Sequence, residues 1–214
     1  LETADKDIEF TDGKFAVAGT DRSVSLDDVA RAAFVRPKLP PGIEPGLYEH
    51  GQFGASPGTE STFPNGVHVA EIEIDIDTGK VELVSYTAID DAGTILNPLL
   101  FDGQIHGGIV QGAGQILMED VTYDRDSGQL LNASFMDYCM PRADDFCVFN
   151  ISAKEIPTAR NPLGVKGVGE SGTVGAMPAV MNAVNDALNF AGAPTVEMPV
   201  TAEKVWRALG EITA

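Results

Sequence analysis

The spacing of apolar and polar residues changes several times along this chain, and each change predicts an element. Residues 8–17 read as two short strands around Asp12-Gly13, a dipeptide suited to a tight hairpin turn. The period then lengthens. Leu26, Val29, Ala30, Ala33 and Phe34 fall on one helical stripe, with Ser25 as its N-cap and Asp28 three residues on, as in a capping box. Further on, Ile72, Ile74 and Ile76 alternate with Glu71, Glu73 and Asp75; Asp77-Thr78-Gly79 forms a turn, and Val81, Leu83 and Val84 continue. This predicts an antiparallel hairpin with one face toward water. Asn97-Pro98 opens a helix expected to run to about Glu119. A hairpin turning at residues 124–128 and a short strand in "FCVFNIS" follow. A second core helix is expected over residues 178–189, with Val180, Val184, Ala187 and Leu188 inward and Gly192 and Pro194 beyond its end. Thr201 caps a last short helix carrying Val205, Trp206 and Leu209. The fold class expected is α+β: antiparallel β-hairpins packed against a Gly-rich helix and a second core helix.

Pro and Gly crowd residues 37–65, a long connection for a compact domain. The chain therefore divides into an N-terminal hairpin and helix (1–36), a connecting loop (37–65) and a main domain (66–214). With 214 residues and 43% hydrophobic content it is long and apolar enough to bury a core. The formal net charge of -18 argues against nucleic acid or an anionic membrane as partner, since both demand clustered Lys and Arg. No apolar run reaches membrane-spanning length and no basic-then-apolar leader opens the chain. Leu1 begins an ordinary acidic stretch, so the N-terminus reads as cut. A cytoplasmic protein is expected. Cys139 and Cys147 form no C-x-x-C pair and read as buried free thiols, and His50, His68 and His106 show no metal-ligand spacing. No protein ligand to a metal is expected.

Two glycine-rich stretches carry the candidate chemistry. In the 97–119 helix, Gly103, Gly107, Gly108, Gly112 and Gly114 each cost roughly 1 kcal/mol relative to Ala. Such a helix calls for close approach of another backbone or of a ligand, and Gln111 and Gln115, four apart, project from one face. The second stretch is "GVKGVGESGTVG", residues 164–175, in which Glu170 stands among glycines just ahead of a helix. Glycines let backbone N–H groups meet a ligand without Cβ interference, and a helix N-terminus favours an anion. "GVGESG" also matches G-x-G-x-x-G, which leaves an NAD(P)-dependent oxidoreductase as an alternative. That reading needs a preceding strand, where Pro162 stands, and a second strand after the helix, where no β-branched run is found.

Three stretches, "DDAGTILNPLLFDGQIHGGIVQGAGQILMED", "FMDYCMPRADD" and "NPLGVKGVGESG", occur together and in order. They resemble the C-terminal molybdenum-cofactor-binding region of the xanthine dehydrogenase / aldehyde oxidase / carbon monoxide dehydrogenase large-subunit family. The resemblance implies part, or a split subunit, of a molybdenum hydroxylase that oxidises an aldehyde, an N-heterocycle or a similar substrate with water as oxygen source. Glu170 matches the family's general base beside the metal. Lys166, Gly167, Val168 and Gly169 match the loop lining the pterin, and Gln111, followed by Gly112, matches the glutamine near its phosphate end. The implied cofactor is molybdopterin, with the cytosine dinucleotide form among the alternatives. FAD and 2Fe-2S centres would sit on partner chains or domains: the remainder of the large subunit, an iron–sulfur subunit and a flavin subunit. A cofactor-binding or assembly module without activity alone is the other alternative.

Overall fold

The computed structural model describes residues 1–35, 37, 39–48, 50–51 and 61–210. Residues 38, 49 and 52–60 of the expected 37–65 connection lie outside them. The chain forms two compact units, residues 1–54 and 55–214.

In the first unit, β1 (Ile8–Thr11), β2 (Lys14–Val17) and β3 (Ser23–Ser25) make an antiparallel sheet in that order, followed by α1 (Leu26–Ala33). Asp12 and Gly13 take φ of 49° and 73°, the left-handed pair that a two-residue hairpin turn needs. Ser25 Oγ accepts from the Asp28 N–H at 3.1 Å and donates to the Asp28 carboxylate at 2.6 Å. β3 was not expected; three residues are too few to show an alternation.

The second unit contains β4 (Asn65–Ile74), β5 (Val81–Asp91), α2 (Pro98–Leu117), β6 (Phe149–Ala153), α3 (Ser171–Ala191) and α4 (Ala202–Gly210). β4 and β5 form the expected antiparallel hairpin, with a bulge between Glu71 and Ile72. β6 joins β5 in parallel, so the sheet is mixed rather than purely antiparallel. The connection from β5 to β6 passes through α2, and a crossover helix returns the chain in the same direction. The hairpin expected at 121–132 reduces to one bridge, Tyr123 to Leu130.

α2 and α3 pack on each other, α3 lies mainly over β4 and α2 touches β6, and Phe101, Ile105, Ile109, Val180, Val184 and Leu188 are buried in one core with Leu83, Tyr86 and Ala88. The costly glycines of α2 serve several contacts. A Cβ on Gly108 would lie 2.9 Å from Gly172 Cα, and one on Gly112 would lie 2.7 Å from Thr173 O. These two admit α3. Gly114 admits Pro141 of the "FMDYCMPRADD" stretch, while Gly103 and Gly107 face open space. At the crossing, a Cβ on Gly172 would sit 2.5 Å from Ile105 O and 2.9 Å from Ile109 N. Those neighbours are backbone and cannot rotate away. Gly172→Ala will therefore destabilise the fold by about 1–3 kcal/mol, read as a lowered midpoint in thermal or urea denaturation.

α3 begins at Ser171, not near Pro178 as the sequence suggests. Gly172, Gly175 and Pro178 read as helix breakers, yet Gly172 is fixed by α2 and Gly175 by the sheet. Pro178 merely forgoes one backbone hydrogen bond inside a packed helix. The helix ends at Gly192, φ 79°, as expected. Glu170 is consequently the N-cap of a long core helix.

Candidate active site

The loop that delivers Glu170 is tied to the end of β5. Thr94 N–H donates to Gly164 O at 3.0 Å, Lys166 N–H donates to Ala92 O at 2.9 Å, and Gly93 bridges Val165. Gly93 and Gly164 both need positive φ, 65° and 68°, to make this tight approach. Buried Asp91 is the hub. Its carboxylate accepts from Gly93 N–H at 2.8 Å and Ile156 N–H at 3.0 Å, and pairs with the Lys166 ammonium. Burial pushes the Asp91 carboxyl upward, but hydrogen bonds from Lys166, Gly93 and Ile156, with the lysine's charge, outweigh it and hold the group below its ordinary value.

Beyond this anchor lies a cavity of about 530 Å³ whose walls include Gly167, Gly169, Glu170, Ser171, His68 and Asp90. Glu170 is exposed within it. Gly167 and Gly169 have open space where a Cβ would point, so a ligand can reach their backbone. No side chain caps the first turn of α3, and no acidic residue lies in that turn. Ser171 Oγ is buried without any hydrogen-bond partner. An unpartnered hydroxyl and uncapped helical N–H groups beside a bare glycine backbone fit an oxyanion-bearing ligand such as a phosphorylated pterin.

The sheet contributes a buried polar trio at the same cavity. His68 stands opposite Ala88 in the β4–β5 register, so Tyr86 and Asp90 are its diagonal neighbours on the same face. Its Nδ1 is 2.7 Å from the Tyr86 hydroxyl and its Nε2 is 3.1 Å from Asp90 Oδ2. Burial, then the Asp90 charge, pushes the Tyr86 hydroxyl far above its ordinary value and keeps it protonated.

The structure thus separates the residues expected at the site. Gly167, Gly169 and Glu170 share one cavity. Gln111 lines another, with Gln115, Glu119 and Tyr138, but its Oε1 accepts from Thr173 Oγ1 at 3.1 Å, linking it to the first turn of α3. Lys166 is committed to Asp91, Val168 packs against the core, and Gly112 meets α3. His68, Asp90 and Ser171 were missed. The alternation counted back from Ile74 through Ile72 and Ala70 would have turned His68 inward; Ser171 offered no signal. Both cysteines are free, but Cys139 is exposed rather than buried and Cys147 is half-buried. Among the described residues no His, Cys, Asp and Glu group could hold a metal ion, and no helix is long and apolar enough to cross a membrane. No strand runs directly into the "GVGESG" loop, and none follows α3 among the described residues, so the dinucleotide-binding arrangement is not formed.

Bare glycine backbone and a helix N-terminus thus border one cavity. Residues 1–147 match the family profile described as molybdopterin cofactor-binding domain, and the chain belongs to that family. It is 42% identical over 97% of its length to the nicotine 6-hydroxylase large subunit of Paenarthrobacter nicotinovorans, covering 25% of that protein. It is 35% identical over 97% of its length to the carbon monoxide dehydrogenase large chain of Afipia carboxidovorans, again covering 25%. The solved structure of quinoline 2-oxidoreductase from Pseudomonas putida 86 superposes with a TM-score of 0.78 at 36% identity, covering 98% of this chain and 26% of that one. The chain spans about a quarter of the length of the relatives it matches.

Proposed function

We propose that this chain is the cofactor-binding, C-terminal portion of a molybdenum hydroxylase large subunit, with Glu170 as its general base. The observation that carries this is the placement of Glu170 as N-cap of α3, in one cavity with the open backbone of Gly167 and Gly169 and the unpartnered Ser171 hydroxyl. When bound, the cofactor supplies the two-electron oxidation. The chain's residues do the rest. Gly167 and Gly169 admit the ligand, Ser171 Oγ and the first-turn N–H groups donate to it, and Glu170 accepts a proton at a carboxylate oxygen from the water-derived nucleophile. Gln111, its carbonyl held by Thr173, keeps its amide donors for the distal end of a long ligand, which favours a dinucleotide form of the pterin. Lys166, Val168 and Gly112 shape the site by fixing the loop and the helix crossing. The substrate is an aldehyde, N-heterocycle or similar electron-poor carbon. The remaining large-subunit segments and iron–sulfur and flavin partners complete a cytoplasmic complex, in keeping with the two free thiols.

The test is Gly169→Val in the full-length protein. Nothing lies within 4 Å of a Cβ at this position and its φ is ordinary, so the fold tolerates the substitution. Stability will stay within about 0.5 kcal/mol, whereas molybdenum content, measured by mass spectrometry, will fall about tenfold or more. Full molybdenum content in the variant would remove the cofactor from this cavity.

A further inference from the structure

We propose that His68 is a positioning residue for the Glu170 site, clamped by Tyr86 and Asp90 so that its ring sets the first two turns of α3. The inference rests on the reading of Glu170 as base, and it concerns a residue on a different element. The inward positions of β4 that follow His68 are Ala70, Ile72 and Ile74, all packed against the core. A histidine in that row, with its side chain only 5% exposed, breaks an apolar face where burial of a polar ring costs free energy. The register makes room for it. Ala88 faces the imidazole, and Gly66 faces Asp90, where a Cβ would lie 2.4 Å from Asp90 Oδ1. Gly175 completes the seat: a Cβ there would lie 2.5 Å from His68 Cε1 and Nδ1. The ring is thus wedged against the α3 backbone one turn beyond Glu170, with both nitrogens engaged.

Nδ1 is bonded to the Tyr86 hydroxyl and Nε2 to the Asp90 carboxylate, so the ring plane cannot turn without breaking one of the two bonds. A ring fixed in this way holds α3 at a fixed distance from the sheet. Displacing a catalytic group by about 1 Å costs about 10²-fold in rate. His68 needs no contact with substrate to act.

The experiment uses the full-length holoenzyme with three substitutions: His68→Phe, which keeps a ring and removes both bonds; His68→Gln, which keeps a donor toward Asp90; and Gly175→Ala, which presses on the ring without altering a polar atom. Hydrogen–deuterium exchange over residues 167–176 and molybdenum content are measured beside turnover on a panel of aldehydes and N-heterocycles. In His68→Phe and Gly175→Ala, exchange in that window will rise about tenfold while the distal half of α3 stays protected, and kcat will fall about tenfold or more with KM changed less than about twofold. His68→Gln will recover most of both. Unchanged local exchange in His68→Phe would overturn the proposal, as would an exchange increase spread evenly over the second unit, which marks a purely structural role. The exchange result stands even if Glu170→Gln retains activity, so failure of the base assignment and failure of the positioning role are told apart.

Discussion

Replacing Glu170 with Gln in the full-length protein will lower turnover by about 10²–10⁴-fold while molybdenum stays bound. Gln matches Glu in volume and keeps one carbonyl oxygen, but it cannot take a proton at pH 7. The change therefore isolates proton acceptance from packing. The groups that fit the ligand, Gly167, Gly169 and Ser171, are untouched, so loading is preserved. The fold is untouched as well, because Glu170 caps α3 without any side-chain hydrogen bond to lose. The loss falls in kcat, equivalent to about 2.7–5.4 kcal/mol of barrier, with KM little altered. Steady-state kinetics with molybdenum quantified in the same preparation checks it. A fully active, fully loaded Glu170→Gln enzyme would mean that the proton acceptor lies elsewhere in the large subunit.

The parts of this fold legible in the sequence are those whose physics is local. Alternation around Asp77-Thr78-Gly79 gives the β4–β5 hairpin, and Gly79 takes the expected left-handed φ of 74°. Asn97-Pro98 gives the start of α2, where Asn97 Oδ1 accepts from the Leu100 N–H at 3.2 Å. That Glu170 stands in a glycine loop at the head of a helix was legible, and the structure has it as the N-cap of α3 on a cavity wall; its role as base is the proposal that Glu170→Gln tests. The start of α3 was not legible, since the reason for glycine at 172 and 175 is contact with the α2 backbone and with His68, both distant in sequence. The polar trio was hidden for a related reason. His68 meets Tyr86 and Asp90 only through the β4–β5 register, which the bulge at Glu71 and Ile72 helps to set. Lys166 read as a cofactor-loop lysine, and its partner Asp91 lies 75 positions away. Period and spacing cannot reveal such a pair.

That pair carries the largest expected effect on stability. Asp91→Ala will destabilise the second unit by about 3–5 kcal/mol, because it leaves the Lys166 ammonium, its side chain 11% exposed, without its counter-charge. It also strands the N–H groups of Gly93 and Ile156, both of which donate to this carboxylate. Asp91→Asn retains an acceptor for them and will cost less. The acid limb of stability separates charge from hydrogen bonding. Asp91 is held below its unfolded value of about 3.9, so its contribution is complete above that pH and shrinks as pH falls toward the folded value. The native state then binds fewer protons than the unfolded chain, and acid favours unfolding. Urea denaturation midpoints across pH 2–7 will fall less steeply below about pH 4 in Asp91→Asn than in the unaltered protein. Because the Lys166 ammonium ties the loop to Asp91 at the end of β5, loosening this anchor will also loosen the loop that carries Glu170. Molybdenum content should therefore drop in Asp91→Ala at temperatures where circular dichroism still reports a folded protein. Full loading of folded Asp91→Ala would show that the loop keeps its shape without the ion pair, through the backbone bonds of Thr94 and Lys166 alone.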